Sequence, residues 1–187
     1  MSDQRINQHL GAEGMIYIDK QDIVDILDQI HFVEEPKVPF PQADTFTRII
    51  CICEHLLNGD MSGEDIVKLN KFTKRQKDYY ANAGIYLSLI EKYKKENKVF
   101  YKLSDRGRFI FELDEYDRDL ELCRCLFEHT VFHNVFSVYL INDDITLDEI
   151  IEIMHNHALY NINNTQIFKR RGKTVLSWIR WVIAHFE

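Results

Sequence analysis

Apolar positions recur along much of this chain at helical spacing. Between Asp22 and Phe32 they fall at Ile23, Ile26, Leu27 and Ile30, one stripe of a helix. Pro36, Pro39 and Pro41 then break the pattern, and residues 36–41 read as an extended linker or strap. From Asp44 to Asn58 a one-sided stripe returns at Phe46, Ile49, Ile50, Cys53, Leu56 and Leu57, closed by Asn58-Gly59. Ser62-x-x-Asp65 reads as the start of a short helix that turns Ile66, Val67 and Leu69 inward and ends near Phe72. Thr73-x-x-Gln76 matches a capping box and opens a third helix, expected to reach about Tyr93, with Tyr79, Ala83, Tyr86, Leu87 and Ile90 on one face. Lys94 to Lys98 reads as a polar turn. Val99–Leu103 and Phe109–Leu113 read as strands joined by a turn at Ser104–Gly107, and Met15–Ile18 as a further short strand.

The second half repeats this logic without a visible sequence repeat. Asp114–Asp119 reads as an acidic connection, and Leu120–Leu140 as a helix with a break near Thr130. Asn142-Asp143-Asp144 is a turn. Thr146-x-x-Glu149 is another capping box, opening a helix from Leu147 to about Met154. Ala158–Asn164 is uncharged loop. Asn164 or Thr165 then caps a last helix, Gln166 to about His185, whose stripe is Val175, Trp178, Ile179, Val182 and Phe186; Gly172 within it costs about 1 kcal/mol of helix propensity. The expected fold class is mainly α with small β wings, built as tandem winged-helix (helix-turn-helix) units. The expected divisions are an N-terminal extension and strap (1–43), a first winged-helix unit (44–113) and a second, winged-helix-like unit (114–187).

Charge changes the picture more than composition does. The 187 residues are 45% hydrophobic and 28% charged, an ordinary globular balance, and their net charge of −7 argues against a polyanionic partner. That argument fails because the charge is segregated. Residues 68–108 carry 12 basic side chains against 4 acidic, and residues 169–187 carry 5 against 1, whereas residues 1–67 and 109–157 are strongly acidic. Salt screens charges beyond about 8–10 Å, so a polyanion responds to the local field.

No apolar run is long enough for a transmembrane helix, and Met1–Leu10 is too polar for a signal peptide, so the expected location is cytoplasmic. Cys51-x-Cys53 and Cys123-x-Cys125 sit on expected helices, where i and i+2 diverge, and read as buried, reduced thiols. Cys125, His129 and His133 have the spacing of one helical face and raise the question of a metal. The surrounding Leu126, Phe127, Val131, Phe132, Val135 and Phe136 favour a place in the core, so no metal and no cofactor are expected.

The basic residues cluster where a helix-turn-helix enters the major groove, at the start of its recognition helix. In the first unit these are Thr73, Lys74, Arg75, Gln76, Lys77 and Tyr80, with Lys94, Lys95, Lys98 and Lys102 of the wing expected on backbone phosphates. In the second they are Gln166, Lys169, Arg170, Arg171 and Lys173, with Gln166, Arg170 and Lys173 on one face opposite Trp178 and Trp181. Arg and Lys pair with guanine edges or phosphates, and Gln with adenine.

Two stretches carry a family resemblance. Arg75-Gln-Lys-Asp-Tyr-Tyr-Ala-Asn-Ala-Gly-Ile-Tyr-Leu-Ser-Leu-Ile90, with Tyr101-Lys-Leu-Ser-Asp-Arg-Gly-Arg108, resembles a helix of the form RQxxYYxxAxxYLGLI followed by a wing of the form YxLTxxGR. Lys169-Arg-Arg-Gly-Lys-Thr-Val-Leu-Ser-Trp-Ile-Arg-Trp181 resembles RRxxTVxSWxxW. Such motifs belong to tandem winged helices of bacterial Type II restriction endonucleases, and here they span roughly residues 44–185. The departure is Ser88, where the pattern has Gly, read as a packing detail. The resemblance implies recognition of double-stranded DNA in a restriction-modification system, beside a nuclease domain or subunit of the PD-(D/E)xK type. No such nuclease core is expected in this chain. Glu34–Lys37 is interrupted by proline, Glu64–Lys68 lies on the short helix and Glu91–Lys95 at a helix end, none offering an acid-x-Lys on a strand. No catalysis by this chain is expected. A transcription regulator of the same fold, or a protein-interaction module, would show much the same pattern.

Overall fold

A computed structural model describes residues 17–186. Its first helix, α1 (Lys20–Gln29), is capped by Asp19, whose carboxylate accepts from the Gln21 amide at 2.7 Å. Residues 30–45 form the strap. Then follow α2 (Phe46–Leu57), β1 (Met61–Ser62), α3 (Gly63–Asn70), α4 (Lys74–Tyr86), β2 (Ile90–Lys95) and β3 (Lys98–Leu103). The strands form an antiparallel sheet in the order β1-β3-β2, with Met61 opposite Tyr101 and Ile90 opposite Leu103. The chain continues through α5 (Asp105–Phe111), α6 (Glu115–Phe127), α7 (Thr130–Asn142), α8 (Leu147–His155) and α9 (Thr165–Ile183). The architecture is mainly helical with one small sheet.

Three of the expected starts are full capping boxes: Ser62 with Asp65, Thr73 with Gln76, and Thr146 with Glu149, in each of which side chain and backbone amide are exchanged reciprocally. Asn164 caps α9 through the Ile167 amide at 3.0 Å. The break near Thr130 is present: α6 stops at Phe127, and His129 precedes α7.

Several expectations are corrected. The third helix stops at Tyr86 rather than about Tyr93, because Leu87 and Ser88 turn the chain, Ser88 with φ of 59°. Residues 90–95 are therefore a strand, and the hairpin pairs Ile90–Lys95 with Lys98–Leu103 across Glu96-Asn97, both at positive φ, as a tight two-residue hairpin requires. Residues 109–113 are not a strand: Phe109–Phe111 close α5, whose start Ser104 caps through the Gly107 amide at 2.8 Å. Asp114–Asp119 is not a connection but the N-cap and first turns of α6. Met15 and Ile16 lie outside the described residues, and Tyr17 and Ile18 are not in a strand.

The core runs without a gap from the first half into the second. Phe46 of α2 meets the Trp178 ring of α9 edge-on at 5.2 Å, Trp178 stacks on Phe132 of α7 at 5.3 Å, and Phe132 stacks on Phe40 of the strap at 5.8 Å. The strap follows this seam and supplies its acceptors. Trp178 Nε1 donates to the Ala43 carbonyl at 2.7 Å, Ser177 to the Asp44 carbonyl, Tyr80 of α4 to the Asp44 carboxylate, and Tyr86 to Glu35 at 3.1 Å.

Candidate functional site

The exposed face of α4 begins at its first turn. Lys74 and Arg75 are exposed, and Asp78, Tyr79 and Asn82 follow on the same side at helical spacing. Arg75 Nε donates to the Tyr79 hydroxyl, and its guanidinium carbon lies 5.3 Å from the Tyr79 ring centre. Thr73 and Gln76 exchange their side chains in the capping box. Lys77 is half-buried, touching Asp78 and donating to the Tyr101 hydroxyl at 3.2 Å. Tyr80 faces inward, 2% exposed.

On the hairpin, Lys94, Lys95 and Lys98 are exposed around the Glu96-Asn97 turn, while Lys102 pairs with Glu91 at 3.1 Å. Lys74, Lys77 and Lys98 converge on a groove of about 420 Å³ between the starts of α3 and α4 and the hairpin end. On α9, Gln166, Lys169, Arg170 and Lys173 are exposed. Arg171 is different: half-buried, it donates through Nη1 to Gln42 of the strap. Burial, and then the charge of neighbouring Arg170, pull its pKa below the usual guanidinium range.

Arg171 also joins the two basic helices. It lines a cleft with Asp78, Tyr79 and Asn82 of α4 and with the strap. The cations at the two helix starts are therefore linked through Arg75, Tyr79 and Arg171. Asp78 and Tyr79 fall within the expected recognition-helix start but outside its expected contacts, and Asn82 lies beyond it; helical spacing from Arg75 picks out all three.

Cys53, Cys123 and Cys125 are buried and unpaired, and burial pushes the Cys125 thiol up to about 12. Cys51 is exposed, which corrects its expected burial. Because α6 ends between Cys125 and His129, the spacing of Cys125, His129 and His133 does not lie on one helix; His129 stacks on Tyr86 with ring centres 4.0 Å apart. Among the described residues no three His, Cys, Asp or Glu side chains are placed to share a metal ion. Nor, among those residues, is any helix long and apolar enough to cross a membrane.

The model of the domain of unknown function DUF7226 matches residues 48–187. The chain belongs to the DUF7226 family. No curated protein and no solved structure matches it. The DUF7226 match covers both basic helices and the sheet, and begins just after the strap that bridges them.

Proposed function

We propose that this DUF7226 protein binds double-stranded DNA through tandem winged-helix-like units, as a target-recognition element of a restriction-type system. The observation that carries this reading is the pair of exposed cationic helix starts, Lys74–Arg75 on α4 and Lys169–Arg170 on α9, linked across the Tyr79–Arg171 cleft. Supporting it, the order α2-β1-α3-α4-β2-β3 with sheet order β1-β3-β2 is compatible with the layout of a helix-turn-helix followed by a hairpin. In this reading α4 enters the major groove and Arg75 reaches base edges. The hairpin lysines lie on phosphates, and α9 adds a second set of contacts. Recognition, not cleavage, is the chain's part. Glu91–Lys95, expected at a helix end, lies instead on β2, where Glu91 is paired with Lys102.

Anisotropy titrations of labelled duplexes at several salt concentrations test this, using duplexes selected from a random pool. Each phosphate that a variant no longer neutralises makes the slope of log affinity against log salt shallower by about 0.9. Replacing Lys169, Arg170 and Lys173 together by Ala is expected to weaken binding at least tenfold and flatten the slope by about 2–3. The melting temperature should hardly move, since all three are exposed. Absence of duplex binding at low salt, or a slope indifferent to the triple change, would refute the proposal.

A further inference from the structure

Between the strap, α4 and α9 lies a cleft of about 140 Å³, its lining including Pro39, Pro41, Gln42, Tyr79, Asn82 and Arg171. One donor beside it has no acceptor. Arg171 Nε is buried and makes no hydrogen bond among the described residues, although Nη1 of the same group is satisfied by Gln42. The half-buried Asn82 side chain makes no side-chain hydrogen bond to another described residue. A buried donor left unpaired, as Arg171 Nε is, disfavours the empty state and favours a ligand that supplies an acceptor.

The lining selects the ligand's chemistry. A free phosphate suits it poorly, because Pro39, Pro41 and Tyr79 line it together with the acidic Asp78. A nucleobase is flat, neutral and edged with acceptors and donors. It stacks on rings and pairs bidentately with a side-chain amide. We propose that this cleft receives a single nucleobase turned out of the stack, with Tyr79 as a wall and Asn82 and Arg171 on the base edge. The inference rests on the duplex-binding reading for how a base arrives: the cleft lies between the two helices that would grip the DNA, where an extruded base would be delivered.

Two measurements separate the cleft from the duplex reading. Titrating ¹⁵N-labelled protein with nucleosides is expected to shift the Asn82 amide and Arg171 Nε signals, while inorganic phosphate and ribose 5-phosphate leave them in place. A selected duplex carrying 2-aminopurine at successive positions is then expected to brighten severalfold at one position on binding. Asn82→Ala should abolish that rise while keeping the parent's salt slope. Equal shifts with phosphate overturn the inference, as does a tightly bound duplex with no brightening at any position. Nucleoside shifts in a protein that binds no duplex would sink the duplex reading and leave a nucleobase site standing. If neither nucleoside nor duplex registers, both fall.

Discussion

Ser88 holds a left-handed backbone, φ 59°, where the chain leaves α4 for β2. An L side chain in this region costs about 1–2 kcal/mol, which Gly avoids. The resembled motif has Gly here, so the departure concerns the backbone, not the packing detail it first suggests. The Ser88 side chain is exposed, and the hydrogen bonds at this position, Ser88 N to the Ile85 carbonyl and Ser104 Oγ to the Ser88 carbonyl, use only its backbone. Ser88→Gly is accordingly expected to stabilise the fold by about 1 kcal/mol, less the extra freedom Gly gives the unfolded chain, read as a higher urea midpoint at unchanged slope. A midpoint that falls would contradict this account. Gly107 shows the opposite case. A Cβ there would lie 2.1 Å from the Leu89 carbonyl oxygen, a backbone atom that cannot swing aside. Gly107→Ala is expected to destabilise by about 3 kcal/mol, at the upper end of overpacking costs. Its glycine is plain in the sequence, but its reason is not: it reads as a turn residue, whereas it is a helical residue pressed against the chain leaving α4.

Elements that announce themselves by chemistry were legible; those that depend on distant contacts were not. The capping boxes at Ser62, Thr73 and Thr146 are side chain and backbone meeting three residues apart, so the local sequence suffices. The stripe of Tyr79, Ala83, Tyr86 and Ile90, by contrast, continues smoothly past the end of α4 at Tyr86. β2 gives no competing signal, since only Ile90 is buried and Tyr93 half-buried among six residues. The seven residues of α5 are too few to show a period, and Phe109, exposed in fact, imitated a strand. The candidate site followed the same rule. The basic helix starts could be read from spacing, but the cleft that joins them needs Gln42 and Arg171, 129 residues apart. The caps also carry a pH dependence. Hydrogen bonds from Ser62 and from Thr146 hold the Asp65 and Glu149 carboxyls below their usual values. A carboxyl lowered in the folded state contributes stability that is present above its unfolded value and lost as pH falls through the folded one. The gap in melting temperature between the parent and Asp65→Ala should therefore hold from neutral pH down to the ordinary Asp range and narrow below it. A gap that widened on acidification would exclude the carboxylate as the capping species.

At the scale of the molecule, the strap decides whether the two halves are one body. It lies wholly before the DUF7226 match, yet Phe40 is 1% exposed and bridges Tyr86 of the first half to Phe132 of the second. Ala43 and Asp44 accept from Trp178 and Ser177 of α9 and from Tyr80 of α4. Removing a buried Phe costs about 3–5 kcal/mol, and here the loss falls on both halves at once. Phe40→Ala should thus lower the stability of the whole protein by about that amount in a single transition. Both tryptophans, Trp178 and Trp181, lie on α9, so their fluorescence reports the second half, while far-ultraviolet circular dichroism follows every helix. Coincident midpoints for the two probes, displaced together by Phe40→Ala, are the expected result. Separate midpoints in the parent would mean that the halves unfold independently. On the proposed reading, the two basic helices would then be tethered readers, free to choose their spacing on a duplex, instead of one preset surface with a cleft between them.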